Sequence, residues 1–176
     1  MEIDFSSSEY CHDNPVIQML IMKESGFDFE PIAIEGAKTV KYYIEEGGFE
    51  PIRGHFEDAG MDLRTPIDVV VPKGGSAVID TLVHTEIPVG YYGKLESKSG
   101  LNVKHGVVSL GGTIDSGYNG SIVVKLYNFG DKDYEFKAGD KIVQMIIQPC
   151  VLEEWIEDDD FSESERGDSG FGSTGR

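Results

Sequence analysis

Between Val40 and about Ile156, the apolar residues come in short runs rich in Val, Ile, Tyr and Thr, such as IDVVVP and SIVVKLYNFG. Several runs alternate with polar residues, and Gly, Pro, Asp and Asn separate them at roughly the 8–12-residue spacing of an all-β sandwich or barrel. Long helical patterns are absent from the sequence. It therefore predicts an antiparallel all-β domain, a jelly-roll-like β-barrel over residues 39–156, with Trp155 anchoring the last strand.

The two ends of the chain differ in composition from this domain. Residues 1–38 begin with a polar stretch and then contain two short apolar runs, so we expect an N-terminal extension whose role the sequence does not reveal. Residues 157–176 are first acidic and then rich in Gly and Ser, a composition that does not order by itself. We expect an acidic linker followed by a flexible, glycine-rich C-terminal arm.

The charge of the chain limits its partners. It has 32 acidic and 15 basic residues and a formal net charge of -17, which repels nucleic acid at long range, so no nucleic-acid partner is expected. A small phosphorylated substrate would need a divalent cation such as Mg²⁺ to offset the negative charge. No apolar run approaches the ~20 residues of a membrane span, and the start is acidic where a secretory signal is basic. We therefore expect no membrane partner and a cytoplasmic location.

Two segments carry groups suited to a metal ion and to phosphate. In AGMDL, Asp62 opens a strand pattern, where an outward-facing carboxylate would hold a hydrated metal ion; a turn aspartate beside Gly60 is the alternative. In SKSGL, Ser99 and Gly100 fit the cap of one helical turn, whose N–H groups would bind an anion, with Lys98 as a point charge beside them. An ordinary loop with a solvated lysine explains this segment as well.

Two later segments carry groups suited to a base and to catalysis. GGTIDSGYNGSIVV has the pattern of a β-hairpin with Asp115, Ser116 and Gly117 at the turn, although turn chemistry alone explains Asp115 and Gly117. Backbone groups of such a hairpin would reach the edge of a base, and Asp115 would act as a base toward water. In GDKIVQMI, Gln144 is an amide within an apolar strand and needs a hydrogen-bond partner, which a phosphate oxygen, a water or a neighbouring strand would supply.

In this order, the segments AGMDL, SKSGL, GGTIDSGYNG, GDKIVQMI and RGDSGFGSTG resemble the five motifs of the trimeric dUTPase family, the dUTP nucleotidohydrolases. The resemblance covers residues 40–176. It implies a homotrimer of jelly-roll subunits with active sites between the subunits. It also implies hydrolysis of dUTP to dUMP and pyrophosphate with Mg²⁺, a reaction that limits uracil incorporation into DNA and supplies dUMP for dTMP synthesis.

The resemblance also implies roles for individual residues. Asp62 would bind Mg²⁺ through water, Asp115 would orient and activate the attacking water, and Gln144 would act near the α-phosphate. Tyr118 would lie under the deoxyribose. The remaining substrate-binding positions that it implies are Lys98, Ser99 and Gly100 for phosphate, Gly112, Thr113 and Ile114 for the uracil edge, and Arg166, Phe171, Gly172, Ser173 and Thr174 in an arm that closes over a neighbouring subunit's site.

One departure from the family pattern and two alternatives bear on the function. The family usually has Pro-Arg-Ser-Gly where this chain has Ser97-Lys98-Ser99-Gly100, so an ammonium replaces a guanidinium and a looser grip on phosphate is expected. A dCTP deaminase, alone or bifunctional, resembles the chain through IDSGYNGSIVVKLYN, but that family's glutamate base falls where this chain has Lys125. The other alternative is an additional regulatory role in which residues 1–38 bind a protein partner.

Overall fold

The computed structural model describes residues 39–160, 162, 164 and 167. This part of the chain is built mainly of β-strands, with one short helix, so the predicted all-β, jelly-roll-like fold is confirmed. The elements are β1 (Lys41–Ile44), β2 (Met61–Arg64), β3 (Val69–Val71), β4 (Ser76–Glu86), β5 (Tyr91–Ser97), α1 (Ser99–His105), β6 (Val107–Ser109), β7 (Thr113–Asp115), β8 (Ser121–Asn128), β9 (Tyr134–Phe136) and β10 (Lys141–Pro149).

Most strands pair in two four-stranded antiparallel sheets. The first sheet has the order β1-β4-β8-β6, and the second has the order β2-β10-β5-β7. Strands β3 and β9 form a separate pair. In neither large sheet do neighbours follow the chain order, so segments distant in sequence lie side by side. The motifs on β2, β5 and β10 are brought together in this way.

One hydrophobic core joins the strands of both large sheets. Along β8 the side chains of Ile122, Val124 and Leu126 are buried while Val123 and Lys125 are exposed, which is the alternation expected of a half-buried strand. Burying each large aliphatic side chain stabilises the fold by about 1.5–3 kcal/mol. The second sheet contributes the buried side chains Leu63, Leu95, Ile114, Val143 and Met145.

The predicted hairpin between β7 and β8 is wrong. Strand β7 pairs with β5 in the second sheet, whereas β8 pairs with β4 and β6 in the first sheet. Residues 116–120, which we call the crossover loop, therefore carry the chain from one sheet to the other. Turn residues specify a change of direction but not the partner strand, and pairing with β5 places Ile114 in the core against Gly93.

The last strand ends before the residue that was expected to anchor it. Strand β10 ends at Pro149, and residues 150–160 form no strand. The side chains of Val151, Leu152, Trp155 and Ile156 are exposed, Trp155 to 88%. The expectation for Trp155 is wrong for the single chain. Separately, no helix in residues 39–160 has the length and apolarity needed to cross a membrane.

Candidate functional site

Asp62 lies between two lysines on β2. Lys98 Nζ donates to Asp62 Oδ1 at 2.5 Å, and Lys141 Nζ donates to Asp62 Oδ2 at 2.9 Å. The Asp62 side chain is only 11% exposed. Burial raises the pKa of this carboxyl, but the hydrogen bonds and charges of the two lysines outweigh burial, and the pKa lies below its ordinary value. Asp62 is therefore ionised at neutral pH and fixed between two cations.

Lys141 was missed by the sequence reasoning. The pairing of β10 with β2 shifts between Lys141 and Val143, which is a β-bulge. Because of this bulge, Ile142 and Val143 are both buried while Lys141 faces the same side as Asp62. Bulges commonly re-aim a side chain next to a functional site. A strict alternation read from the sequence would have placed Lys141 on the core face, so no sequence signal marked it.

Gln144 lies beside Asp62 on the outer face of the second sheet. Gln144 is opposite Asp62 on β2 and opposite Glu96 on β5. Directly opposed residues on neighbouring strands project from the same face, so these three polar side chains form a row across the sheet. The neighbouring glycine leaves room for the amide, since a Cβ at Gly60 would lie 3.0 Å from Gln144 Oε1.

Helix α1 begins directly after Lys98. Lys98 is the N-cap and makes no side-chain capping bond, and Ser99 and Gly100 are the first helical residues. The helix runs for seven residues and ends at Gly106, which has φ 68° in the left-handed region. The expectation of a single turn capped by Ser99 is therefore wrong. Ser99 and Gly100 are exposed, and the first turn has no acidic side chain that would occupy its free N–H groups.

The backbone before β7 requires glycine. Gly111 and Gly112 have φ values of 83° and 115°, and a Cβ on Gly112 would lie 2.8 Å from Leu95 Cβ. The Gly112 carbonyl accepts the Leu95 N–H at 2.8 Å, which fixes this segment against β5. Thr113 and Asp115 are exposed, and Ile114 between them is buried. The segment therefore presents backbone and polar groups on a rigid support.

Tyr118 in the crossover loop is fixed at both ends. Its N–H donates to the Asp115 carbonyl at 3.0 Å, and its hydroxyl donates to the Ser121 carbonyl at 2.8 Å. The ring folds back over Gly120, where a Cβ would lie 2.4 Å from the Tyr118 hydroxyl oxygen. The side chain remains partly exposed, so the ring offers a surface to a ligand.

The predicted site residues that the structure describes, together with Lys141, fall into two groups within one chain. The lysine group comprises Asp62, Lys98, Ser99, Gly100, Lys141 and Gln144. The crossover group comprises residues 112–118. The row that begins with Asp62 and Gln144 reaches strand β5 at Glu96. Asp115 on β7 is instead opposite Tyr92, at a different position along β5. This difference along β5 and the three strand steps from β2 to β7 place Asp62 and Asp115 roughly 19 Å apart on the same face.

Several expectations fall outside the described residues. Arg166, Phe171, Gly172, Ser173 and Thr174 of the predicted arm lie there, as does the predicted extension over residues 1–38. Within the described part of the chain, no three His, Cys, Asp or Glu side chains are grouped so as to hold a metal ion. Asp62 is the carboxylate that both lysines contact.

A comparison with known protein families covers most of the chain. The family model described as dUTPase matches residues 50–175. The chain belongs to the dUTPase family. It is 42% identical to a deoxyuridine 5'-triphosphate nucleotidohydrolase of Arabidopsis thaliana, over 75% of this chain and 80% of that protein. It is 43% identical to the protein of the same name from Anaplasma marginale, over 68% of this chain and 84% of the relative.

Solved dUTPases share the fold. A mutant dUTPase of Staphylococcus bacteriophage 80alpha with dUpNHpp is 30% identical to this dUTPase, with a TM-score of 0.73 over 80% of this chain and 100% of the phage chain. A mutant dUTPase from phage phi11 of S. aureus, whose structure concerns the coordination of a structural Mg(II) ion, is 29% identical. Its TM-score is 0.65, over 70% of this chain and 99% of the phi11 chain.

Proposed function

We propose that this dUTPase hydrolyses dUTP to dUMP and pyrophosphate by attack of water on the α-phosphorus, in sites assembled between the subunits of a homotrimer. Membership of the family supports the substrate and the reaction. The reaction would limit uracil incorporation into DNA and supply dUMP for dTMP synthesis.

The distance between the lysine group and the crossover group is the observation that supports sites shared between subunits. A carboxylate that orients the attacking water and a carboxylate that holds a metal ion on the same triphosphate must lie within about 10 Å of each other. Asp62 and Asp115 of one chain are roughly 19 Å apart by strand spacing. The lysine group of one subunit therefore works with the crossover group of another, and a closed trimer supplies this contact three times.

The lysine group fits a magnesium ion that is held mainly by the substrate. Mg²⁺ usually keeps several waters and is bound by one or two carboxylates together with substrate phosphates, so a lone carboxylate suffices. Asp62 is ionised, and each of its oxygens has a lone pair beyond the one that accepts from a lysine. Asp62 would accept a hydrogen bond from a water on the ion. When bound, the ion would neutralise phosphate charge and favour departure of pyrophosphate.

Lys98 and α1 would bind the phosphates. One of the three N–H groups of the Lys98 ammonium is directed at Asp62, which leaves two for phosphate oxygens. The bond to Asp62 also fixes the position of Lys98, and this offsets part of the loss of the guanidinium fork that relatives have. The N–H groups at Ser99 and Gly100 would add donors beside it, and the Gln144 amide would donate to oxygen near the α-phosphate.

Asp115 would act on the attacking water. It lies at the end of β7, and its carbonyl accepts the Tyr118 N–H, so its backbone is held on both sides. The carboxylate would accept a proton from water as the water oxygen bonds to the α-phosphorus. The bond from that phosphorus to the bridging oxygen breaks, and pyrophosphate leaves. General base catalysis of this kind contributes about 10²–10⁴ in rate.

The crossover group would select deoxyuridine. The rigid backbone at Gly112 to Ile114 would pair with the uracil edge, and cytosine would leave buried main-chain groups unpaired. A thymine methyl would collide with the same backbone. A ribose 2'-hydroxyl would collide with the Tyr118 ring, which cannot withdraw because its hydroxyl is bonded and its ring rests on Gly120.

The end of the chain would complete the site. The exposed apolar side chains from Val151 to Ile156 form a surface of the kind that marks a protein contact, which supports a crossing of this segment onto a neighbouring subunit. Beyond it, Phe171 would stack on the base, and Arg166, Ser173 and Thr174 would bind phosphate. Their ordering would exclude bulk water during the reaction.

The deaminase alternative has less support. Lys125, at the position of the deaminase glutamate, lies on β8 in the first sheet with its ammonium 5.1 Å from the centroid of the Tyr127 ring. A protonated ammonium held over an aromatic ring is not a general base. Release of ammonia from dCTP would contradict this assignment.

The substrate is tested by pyrophosphate release. Release is measured with dUTP, dTTP, dCTP and UTP, each with Mg²⁺ and with a chelator. We expect rapid release from dUTP with Mg²⁺ alone. We also expect that Asp115→Asn abolishes turnover while dUTP still binds. Comparable release from dTTP would refute the assigned fit of the uracil edge.

The shared site is tested by mixing two variants whose activity is abolished or strongly reduced. Asp115→Asn and Asp62→Asn chains are produced together so that mixed trimers form. If each site takes Asp62 and Asp115 from different subunits, about a quarter of the sites in an equal mixture are intact and activity returns. A mixture as inactive as either variant alone would show that one chain supplies both carboxylates. Chains unfolded and refolded separately and then combined serve as the control.

A further inference from the structure

Both ring nitrogens of His84 face oxygen atoms that only accept hydrogen bonds. Nδ1 lies 2.8 Å from the Asn119 carbonyl oxygen, and Nε2 lies 2.7 Å from Glu45 Oε1. A neutral imidazole has one N–H, whereas the imidazolium has two. Only the charged form therefore satisfies both contacts. The side chain is 23% exposed, so these partners, more than water, surround the ring.

A strained bulge in β4 places His84 at this position. The pairing of β4 with β8 is interrupted between Asp80 and His84. Within the described residues, Leu82 is the single non-glycine residue with positive φ, at 59°. Asp80 accepts the Leu82 N–H at 2.9 Å and also accepts the Ser121 hydroxyl. Strain of this kind costs on the order of 1–3 kcal/mol and persists where surrounding contacts require it.

The charges around His84 favour the imidazolium. Glu45 approaches from the segment after β1 and Asp80 from β4, while Lys41 and Glu86 nearby neutralise each other in an ion pair. The Tyr43 ring lies 5.6 Å from the imidazole. The bond to the Asn119 carbonyl raises the pKa of His84, and the Glu45 carboxylate raises it further.

The Asn119 carbonyl that His84 contacts belongs to the crossover loop. Asn119 follows Tyr118 directly, and its carbonyl is bonded to the nitrogen of Gly120, the residue that the Tyr118 ring folds over. We propose that His84, as an imidazolium, is a positioning residue for the crossover loop. It connects Glu45 to the Asn119 carbonyl through two hydrogen bonds, which we call the bridge, and so holds the loop in place at the proposed substrate site. Its catalytic consequence rests on the proposed function, whereas the bridge itself does not.

Loss of the proton would loosen the loop. As pH rises through the raised pKa, the imidazole keeps one N–H, and one of the two acceptors is left facing a lone pair. The Tyr118 ring would then be less well fixed under the sugar. The expected signature is a KM for dUTP that rises with pH, together with weaker discrimination against UTP.

The bridge is tested first without catalysis, by NMR on the uniformly labelled enzyme. The Gly120 amide nitrogen shares a peptide bond with the Asn119 carbonyl, so its chemical shift reports the hydrogen bond from His84. We expect Gly120 and the His84 ring to titrate with one midpoint, and we expect Glu45→Gln to lower that midpoint. His84→Gln should abolish the Gly120 titration, and His55→Gln should leave it unchanged, since the His55 side chain is 90% exposed in another loop. A Gly120 signal that does not follow His84 overturns the proposal.

The catalytic consequence is tested by steady-state kinetics over about pH 5.5–9, across the ordinary range of a histidine. At pH below the midpoint, His84→Gln should raise the KM for dUTP about threefold to tenfold, the change expected for one lost hydrogen bond, with a smaller change in kcat. The KM of the wild-type enzyme should approach that of the variant as pH rises.

The two proposals fail separately. A wild-type enzyme that does not hydrolyse dUTP refutes the proposed function and leaves the NMR result on the bridge standing. An active wild-type enzyme whose pH dependence is shared by His84→Gln overturns the role of His84. If His84→Gln does not fold, Glu45→Gln carries the same test, because it keeps an acceptor and removes the charge. An unchanged midpoint in that variant overturns the proposal.

Discussion

Substitution of Gly112 by alanine tests whether the backbone before β7 is fixed by Leu95. Gly112 has φ 115°, outside the left-handed region that other residues sometimes adopt. A Cβ there would lie 2.8, 2.9 and 3.0 Å from three carbons of the Leu95 side chain. Leu95 is 5% exposed in the core and donates its N–H to the Gly112 carbonyl. Neither residue can move away without breaking that bond or repacking the core.

The cost follows from these two contributions. The backbone conformation contributes about 1–3 kcal/mol. Overpacking against a buried leucine contributes about another 1–3 kcal/mol. Alanine lowers the entropy of the unfolded chain and returns about 0.4–1 kcal/mol. We expect Gly112→Ala to lower the free energy of unfolding by about 1–5.5 kcal/mol, with a central value of about 3 kcal/mol, which corresponds to a fall of about 10 °C in Tm for a chain of this length.

Gly111→Ala is the matched control. Gly111 also has positive φ, 83°, but no atom lies within 4 Å of the position of its Cβ. This variant carries the backbone cost without the collision, so a fall in Tm of about 3 °C is expected. Circular dichroism at one fixed protein concentration measures both variants, since the stability of the proposed trimer would depend on concentration. Equal Tm values for the two variants would refute the argument that Leu95 excludes a side chain at position 112.

Three further predictions follow from the contacts of the site. Asp62→Asn should reduce turnover at least tenfold and raise the Mg²⁺ concentration needed for half-maximal activity, because an amide is a poorer acceptor for metal-bound water; a magnesium titration that matches the wild-type enzyme would contradict this role. Gly120→Ala should displace the Tyr118 ring, whose hydroxyl oxygen lies where the new Cβ requires space, and so narrow the ratio of kcat/KM for dUTP over UTP; an unchanged ratio would show that Tyr118 does not select the sugar. The pKa of His84 is raised in the fold, so its stabilising contribution is present below the unfolded pKa and is lost as pH rises through the folded pKa; the Tm difference between the wild-type enzyme and His84→Gln should therefore shrink with rising pH, and a constant difference would contradict it.

The strands and most of the polar residues of the lysine group could be predicted from the sequence. Apolar and polar residues alternate along β8 because one face of the strand is buried, and this alternation is visible in the sequence. Gln144 can be predicted because an amide within an apolar strand requires a hydrogen-bond partner, Asp62 because a carboxylate at the start of a strand suits a hydrated metal ion, and Lys98 because an ammonium beside a helical turn suits phosphate. The structure brings these three together on β2, before α1 and on β10.

The features that could not be predicted depend on residues that are distant along the chain. Lys141 joins Asp62 through a bulge, and a bulge in β10 depends on its pairing with β2. The segment from Asp115 to Ser121 has the local chemistry of a turn, but the sheet to which each flanking strand belongs is decided by the core. The contacts of His84 could not be predicted either, because Glu45 and Asn119 are both distant from it in the sequence.

In the proposed trimer, a second subunit would serve the chemistry of the lysine group as well as supply residues to the site. Asp62, Gln144 and Glu96 lie in a row on one face of a sheet, and a sheet face by itself leaves a bound triphosphate in contact with water. Fixed charges stabilise a transition state far more when water is excluded. Lys98 and Lys141 are held by Asp62 before substrate arrives, so the field is set in advance. The crossover group and arm of neighbouring subunits would then supply the walls that make this field effective.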